Sequence, residues 1–145
     1  LGDELFKKCL NEFISRWNGK HPTPWDMFYT FEDVAKQELS WFWNPWFFES
    51  HIPDLAIKDV KNESNKTSVL VENVGNLPVP IDLTLTFEDG TQTKLTSSTL
   101  IWQNGNKDVW LDVDVKSKVK SIELTNKNIP DADATNNYIT FENYE

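Results

Sequence analysis

Few residues in this sequence of 145 could support metal or nucleophilic chemistry. A catalytic zinc site takes three protein ligands and a water, and its common helical form places a glutamate between two histidines one turn apart. The only two histidines, His21 and His51, are 30 positions apart. The single cysteine, Cys9, lies on the apolar side of a helical pattern, where a thiol is usually an inert buried group. The residues therefore predict no catalytic site and no metal site.

One acidic loop has the composition of a calcium ligand set, and it runs Asp131-Ala132-Asp133-Ala134-Thr135-Asn136-Asn137. It lacks the glycine at the sixth position and the glutamate at the twelfth that an EF-hand loop requires. An Asx-rich turn that begins the last strand is the favoured interpretation. The sequence leaves calcium binding by this loop open.

Two tryptophans of the second half, Trp102 and Trp110, are predicted to lie on an outer face. An exposed indole ring can stack on a sugar, so these residues are candidates for a surface binding site. The favoured alternative is that they cover a junction with the helical half or with a neighbouring domain.

The elements that position these residues change character near residue 50. Before it, apolar residues recur at helical spacing and predict about three helices. The first helix ends at Asn18-Gly19, where Gly19 is expected to be left-handed. The second begins at Thr23-Pro24, and Asp26 is expected to close a capping box on Thr23. The apolar face of the first helix is wide and needs a partner.

The third helix lies in an aromatic segment with six aromatic residues in eight, Trp41-Phe42-Trp43-Asn44-Pro45-Trp46-Phe47-Phe48. Pro45 has no amide hydrogen and clashes with the preceding turn, so a kink or a break is expected there. The segment is predicted to pack between two domains, and its candidate interdomain residues are Trp41, Trp43, Trp46 and Phe47.

From residue 53 onward apolar residues alternate, which predicts short strands. Asp89-Gly90 and Asn104-Gly105 are hairpin signals, and a break at Lys120-Ser121 suggests a bulge. The predicted strands centre on Leu55/Ile57, Val69/Val71, Val79 to Phe87, Leu95, Val109 to Val115, Val119 to Leu124 and Tyr138 to Phe141. The predicted fold is α+β, with a short helical segment (1–50) before a seven-stranded immunoglobulin-like β-sandwich (51–145).

Charge and hydropathy exclude some partners. The net charge of −9 has no basic stripe to offset phosphate charge, which disfavours nucleic acid. No apolar run approaches the roughly 20 residues that a membrane-spanning helix needs.

The helical half resembles the aminopeptidase N-like zinc metallopeptidases, the gluzincin aminopeptidases. The resemblance lies in the helices that follow the catalytic core of that family, which in bacterial members run on into a β-sandwich; the second half matches more loosely. The residues that carry it are Leu1 to Phe6, Arg16-Trp17, His21-Pro22-Thr23-Pro24-Trp25-Asp26-Met27-Phe28, Phe31 to Val34, Leu39 to Trp43 and Trp46-Phe47.

The resemblance implies a C-terminal piece of such an enzyme that lacks the His-Glu-x-x-His part. The parent would hold zinc and remove N-terminal residues from peptides, whereas this chain carries no cofactor and is expected to be inactive alone. Its expected role is structural or concerns substrate access, with His21 and Trp25 as candidate cleft-lining residues. Its expected partner is the rest of the parent chain, in an exported bacterial protein outside the cytoplasm. A sandwich that binds a glycan or a protein is the alternative function.

Overall fold

The computed structural model describes residues 1–126 and 128–141, in an α+β fold with two compact units. We call Leu1–Asn44 the helical unit and Pro45–Glu145 the sheet unit. Lys127 and residues 142–145, which the predicted second domain includes, lie outside the described residues. The roles predicted for the two domains stay predictions.

The helical unit contains three helices, α1 (Asp3–Trp17), α2 (Pro24–Ala35) and α3 (Ser40–Trp43). The predicted capping box at the start of α2 is confirmed, because Asp26 Oδ2 accepts a hydrogen bond from the main-chain N–H of Thr23 at 2.7 Å. Gly19, which follows α1, has the predicted left-handed conformation with φ 74°. Among the described residues no helix combines the length and the apolar character that crossing a membrane requires.

A π-helical turn, Asn44–Phe48, continues directly from α3. Pro45 lies inside this turn and supplies no amide hydrogen, which is one of the usual causes of a helix kink. The predicted interruption of the third helix is therefore confirmed.

Where the structure describes the sheet unit, it contains seven strands in two sheets, with every pair of neighbouring strands antiparallel. The three-stranded sheet has the order β1-β2-β5 and the four-stranded sheet the order β4-β3-β6-β7. The strands are β1 (Leu55–Asn62), β2 (Lys66–Asn73), β3 (Ile81–Phe87), β4 (Gln92–Ser97), β5 (Asp108–Asp114), β6 (Val119–Leu124) and β7 (Tyr138–Thr140).

One hydrophobic core joins the two sheets. Val69 and Val71 of β2 are fully buried in the same cluster as Ile81 and Leu85 of β3. The alternation of apolar and polar residues along these strands explains this, because successive side chains point to opposite faces of a sheet. Both sheets therefore turn one face inward, as the sequence pattern predicts.

Two local features, the bulge in β6 and the turn at Asn104-Gly105, can be compared with the predictions made for them. The predicted bulge in β6 is confirmed, because Thr86 pairs with Ser121 and Phe87 with Val119, which leaves Lys120 as the extra residue. The predicted hairpin at Asn104-Gly105 is wrong. The strands before and after this turn, β4 and β5, belong to different sheets, so the turn serves a crossover.

Candidate functional site

The interior of the helical unit fixes how α1 and α2 present their outer surfaces. Cys9 of α1 is fully buried, and its Sγ lies 3.7 Å from the carbonyl oxygen of Phe31 on α2. Phe28 stacks on Trp43 with ring centroids 4.8 Å apart, and Phe31 meets the same indole edge-on. Burial raises the pKa of the Cys9 thiol, so the thiolate that nucleophilic chemistry needs is disfavoured.

An ion-pair network on the surface of the unit joins the same two helices. The Arg16 guanidinium on α1 contacts Glu12 at 2.7 Å and Asp33 of α2 at 2.6 Å. The hydrogen bond from Arg16 and a second one from Lys36 lower the pKa of the Asp33 carboxyl. Because all these groups are exposed, the network contributes little to stability.

Apolar residues of α1 remain exposed along one stripe. We call Phe6, Leu10 and Ile14 the α1 stripe; they are 48%, 37% and 51% exposed. Their spacing of four residues places them on one side of the helix, over about 12 Å at 1.5 Å per residue. The neighbouring residues Leu5 and Phe13 pack into the core. The predicted apolar face of α1 is therefore half covered within its own unit, and an exposed apolar ridge of this kind typically marks an interaction surface.

The start of α2 carries the two residues predicted to line a substrate cleft. His21 lies exposed in the turn before the helix. Trp25, in the first turn of α2, is exposed on one side and meets the ring of Phe28 edge-on at 5.8 Å. Trp25 also stacks on the exposed Tyr29 at 6.1 Å. The role of His21 and Trp25 as a cleft lining stays a prediction.

The four candidate interdomain residues divide between the two units. Trp43 is buried in the core of the helical unit, and Trp41 makes an edge contact with Phe42. In the sheet unit, the Trp46 indole N–H donates to the carbonyl oxygen of Pro78 at 3.1 Å, and Phe47 is exposed. Each of the three tryptophans has a contact inside its own unit, and interdomain packing stays a prediction.

The two tryptophans predicted to lie on an outer face differ in how much of each side chain is exposed. Trp102 is only 4% exposed, and its Nε1 donates to the carbonyl oxygen of Val79 at 2.8 Å. Its predicted surface position is therefore wrong, because the short 3₁₀ helix Thr99–Trp102 turns the indole into the core. Trp110 is 39% exposed, and Lys61 Nζ lies 4.2 Å from the centre of its ring. The lysine occupies one ring face, so a sugar could reach only the other.

The acidic loop uses its carboxylates to fix its own main chain. Asp131 Oδ2 accepts from the amide of Leu55 and Oδ1 from the amide of Asp133, both at 3.0 Å. Asp133 in turn accepts from the amide of Thr135 at 3.0 Å, the geometry of the favoured Asx turn. His51 pairs with Glu49 at 2.6 Å. Over residues 1–126 and 128–141, no three His, Cys, Asp or Glu side chains form a group that could hold a metal.

Local sequence patterns indicated the exposed face of α1 but not the environment of Asp54. The width of the apolar face of α1 indicated that the helix needs a partner, although periodicity could not tell which half its own unit covers. Asp54 has no distinguishing pattern in the sequence, where it is a single aspartate just before β1. Its environment depends on residues about 80 positions later.

Comparison with known proteins supports the fold alone. No family model matches the chain, and no curated protein matches it. A solved structure that resembles it is that of Legionella pneumophila aminopeptidase A in complex with aspartic acid, with a TM-score of 0.56 and 19% sequence identity. The match covers 78% of this chain but only 13% of that chain.

Proposed function

We propose that this chain is a non-catalytic C-terminal region of an aminopeptidase N-like zinc metallopeptidase. It completes the helical scaffold behind the catalytic core and limits the access of peptides to it. The parent enzyme would remove N-terminal residues from peptides, outside the cytoplasm of a bacterium. The α1 stripe is the observation that carries this proposal.

The stripe supports a partner that packs along a helix. Phe6, Leu10 and Ile14 are roughly half exposed, whereas Leu5 and Phe13 on the adjoining side of the helix pack against the core. Burying one such side chain fully contributes about 1.5–3 kcal/mol. A helix of the parent scaffold fits this surface, because ridges at four-residue spacing pack into the groove of another helix.

The fold likeness supports the same proposal. The chain matches a portion of an aminopeptidase that is far longer than itself. We propose that the sheet unit is the immunoglobulin-like accessory domain of the parent. If β1 to β7 are given the immunoglobulin strand letters A, B, C, C′, E, F and G, the two sheets have the orders A-B-E and C′-C-F-G. The constant-type immunoglobulin domain differs in that its fourth strand joins the other sheet.

The zinc of the proposed parent does not fit the residues of this chain. The two histidines are 30 positions apart, and His51 pairs with Glu49. A zinc site therefore has to come from another part of the parent. His21 and Trp25 are proposed to lie at the mouth of the peptide cleft, since both are exposed at the start of α2.

The test compares Ile14→Asp in this chain and in the full encoded polypeptide. In the 145-residue chain we expect a loss of about 1–2 kcal/mol in unfolding free energy, because Ile14 is about half buried and an aspartate in the last turn of α1 opposes the helix dipole. In the full polypeptide we expect a loss of about 3 kcal/mol or more, because an apolar contact is lost and a carboxylate is desolvated. Urea denaturation measures both, and hydrolysis of an aminoacyl p-nitroanilide measures peptidase activity.

Leu100→Asp is the matched control, because Leu100 of the sheet unit is as exposed as Ile14. It should change stability equally little in both proteins. An encoded polypeptide without a His-Glu-x-x-His helix upstream of this chain would refute the proposal. Equal effects of Ile14→Asp in the short and the full protein would also contradict it.

A further inference from the structure

The segment that leads into β1 is held by hydrogen bonds from two other parts of the sheet unit. We call residues Pro53, Asp54 and Leu55, with Gly75 and the Asp131-Ala132 pair that hold them, the entry clasp. Gly75 N–H donates to the Asp54 carbonyl and Ala132 N–H to the Pro53 carbonyl, each at 3.0 Å. The Leu55 amide donates to Asp131 Oδ2 at the same distance. The start of β1 is thus attached to the loop before β7.

The side chain of Asp54 differs from the rest of the entry clasp, because one of its oxygens has no hydrogen-bond donor. Its Oδ1 is buried and accepts no hydrogen bond from any residue that the structure describes. The charged groups that act on it are Asp131 and Asp133, which are both acidic, and the Asn136 amide donates to Asp133 Oδ2 at 3.5 Å. The two Asp131 oxygens already accept main-chain amides, so their position beside Asp54 is fixed.

A buried carboxylate oxygen without a donor is costly in its charged form, and neighbouring negative charges add to that cost. A proton on the Asp54 carboxyl removes this charge and its cost. Burial is the main factor that raises the pKa of the Asp54 carboxyl, and the charge of Asp131 raises it further. The hydrogen bond with Asn136 acts in the opposite direction, and Asp133 adds a smaller rise.

We propose that Asp54 makes the entry clasp proton-dependent, so that the start of β1 is held more tightly as the pH falls from neutral toward mildly acidic. A group with a pKa higher in the folded than in the unfolded chain stabilises the fold fully below its unfolded pKa. That stabilisation is lost as the pH rises through the folded value. Carboxyls with lowered pKa, such as Asp112, have the opposite dependence. Only a comparison with a variant isolates the contribution of Asp54.

Asp54→Asn keeps the shape of the side chain and removes its titration. We expect this variant to melt at a higher temperature than the wild type near neutral pH. The difference should fall below about 1 °C as the pH reaches the ordinary range of a carboxyl, about 4. Asp114→Asn is the matched control. Asp114 is an exposed residue of β5 whose side chain makes no hydrogen bond or ion pair with any described residue. Its variant should follow the wild-type profile.

A direct titration makes the test independent of folding by the variant. The side-chain carboxyl carbon resonance of Asp54, followed by NMR in the wild-type chain with EDTA present, should titrate above the ordinary range of an aspartate, about 4. Titration of Asp54 within or below that range would overturn the proposal. So would a rise in wild-type melting temperature on adding calcium chloride at neutral pH that Asp54→Asn abolishes, because the oxygen would then hold a cation.

Discussion

Trp102→Phe should destabilise the sheet unit strongly, whereas Trp110→Phe should not. Trp102 is 4% exposed and donates to the Val79 carbonyl at 2.8 Å. Phenylalanine has no donor, so a buried carbonyl oxygen is left unsatisfied at a cost of about 1–3 kcal/mol. The smaller ring also leaves a cavity, which adds about 1–2 kcal/mol. The expected loss is therefore about 2–5 kcal/mol.

Trp110 provides the matched control because the same substitution occurs on the surface. Its ring is 39% exposed and contacts the Lys61 ammonium. Cation–π contacts at exposed sites contribute about 0.5–1 kcal/mol, and a phenyl ring retains part of that. Trp110→Phe should thus cost less than about 1 kcal/mol.

Urea denaturation followed by far-UV circular dichroism measures both variants, with the strand signal reporting the sheet unit. The midpoint for Trp102→Phe should fall while the slope with urea stays unchanged, which identifies a change of stability rather than of mechanism. For a unit of about 100 residues, each 1 kcal/mol also corresponds to about 4–8 °C in melting temperature. Two variants with equal midpoints would refute the assignment of Trp102 to the core.

Two further predictions concern glycine and asparagine. Gly75→Ala should lower the unfolding free energy measured by urea denaturation by about 3 kcal/mol or more. The reason is that a Cβ at position 75 would lie 1.9 Å from the main-chain carbonyl oxygen of Ile52. Gly105→Ala, with φ 74° and open space around it, should cost about 1–2 kcal/mol, and the reverse order would contradict this account. Asn18 should deamidate faster than Asn104 on storage at mildly alkaline pH. The amide that follows Asn104 donates to Trp102 at 3.0 Å, whereas the amide after Asn18 bonds to no described residue. Peptide mapping by mass spectrometry that finds equal rates would disprove this.

Local signals account for the parts of the fold that the sequence predicts correctly. The Thr23 and Asp26 pair caps α2 because both partners lie within one turn. Pro45 interrupts the third helix for a covalent reason that no tertiary contact can remove. The strand positions follow from alternation, since a strand with one buried face has little freedom of register.

The incorrect predictions depend on contacts between distant residues. The sequence cannot tell that Trp102 finds its acceptor 23 positions earlier, at Val79. An Asn-Gly turn is a hairpin signal only when the flanking strands pair, and β4 and β5 pair with other strands. The same limit applies to Asp54, whose neighbours Asp131 and Asp133 come from the far end of the chain.

The two proposals rest on different units, so their tests are independent. The α1 stripe belongs to the helical unit, and the entry clasp lies within the sheet unit. Ile14→Asp in the full polypeptide reports whether a partner covers the stripe, and the titration of Asp54 requires only the folded sheet unit. If no parent peptidase exists, the buried Asp54 oxygen still lacks a donor, and the proposal for the entry clasp is unaffected. If Asp54 titrates normally, the exposed apolar residues of α1 still need a partner.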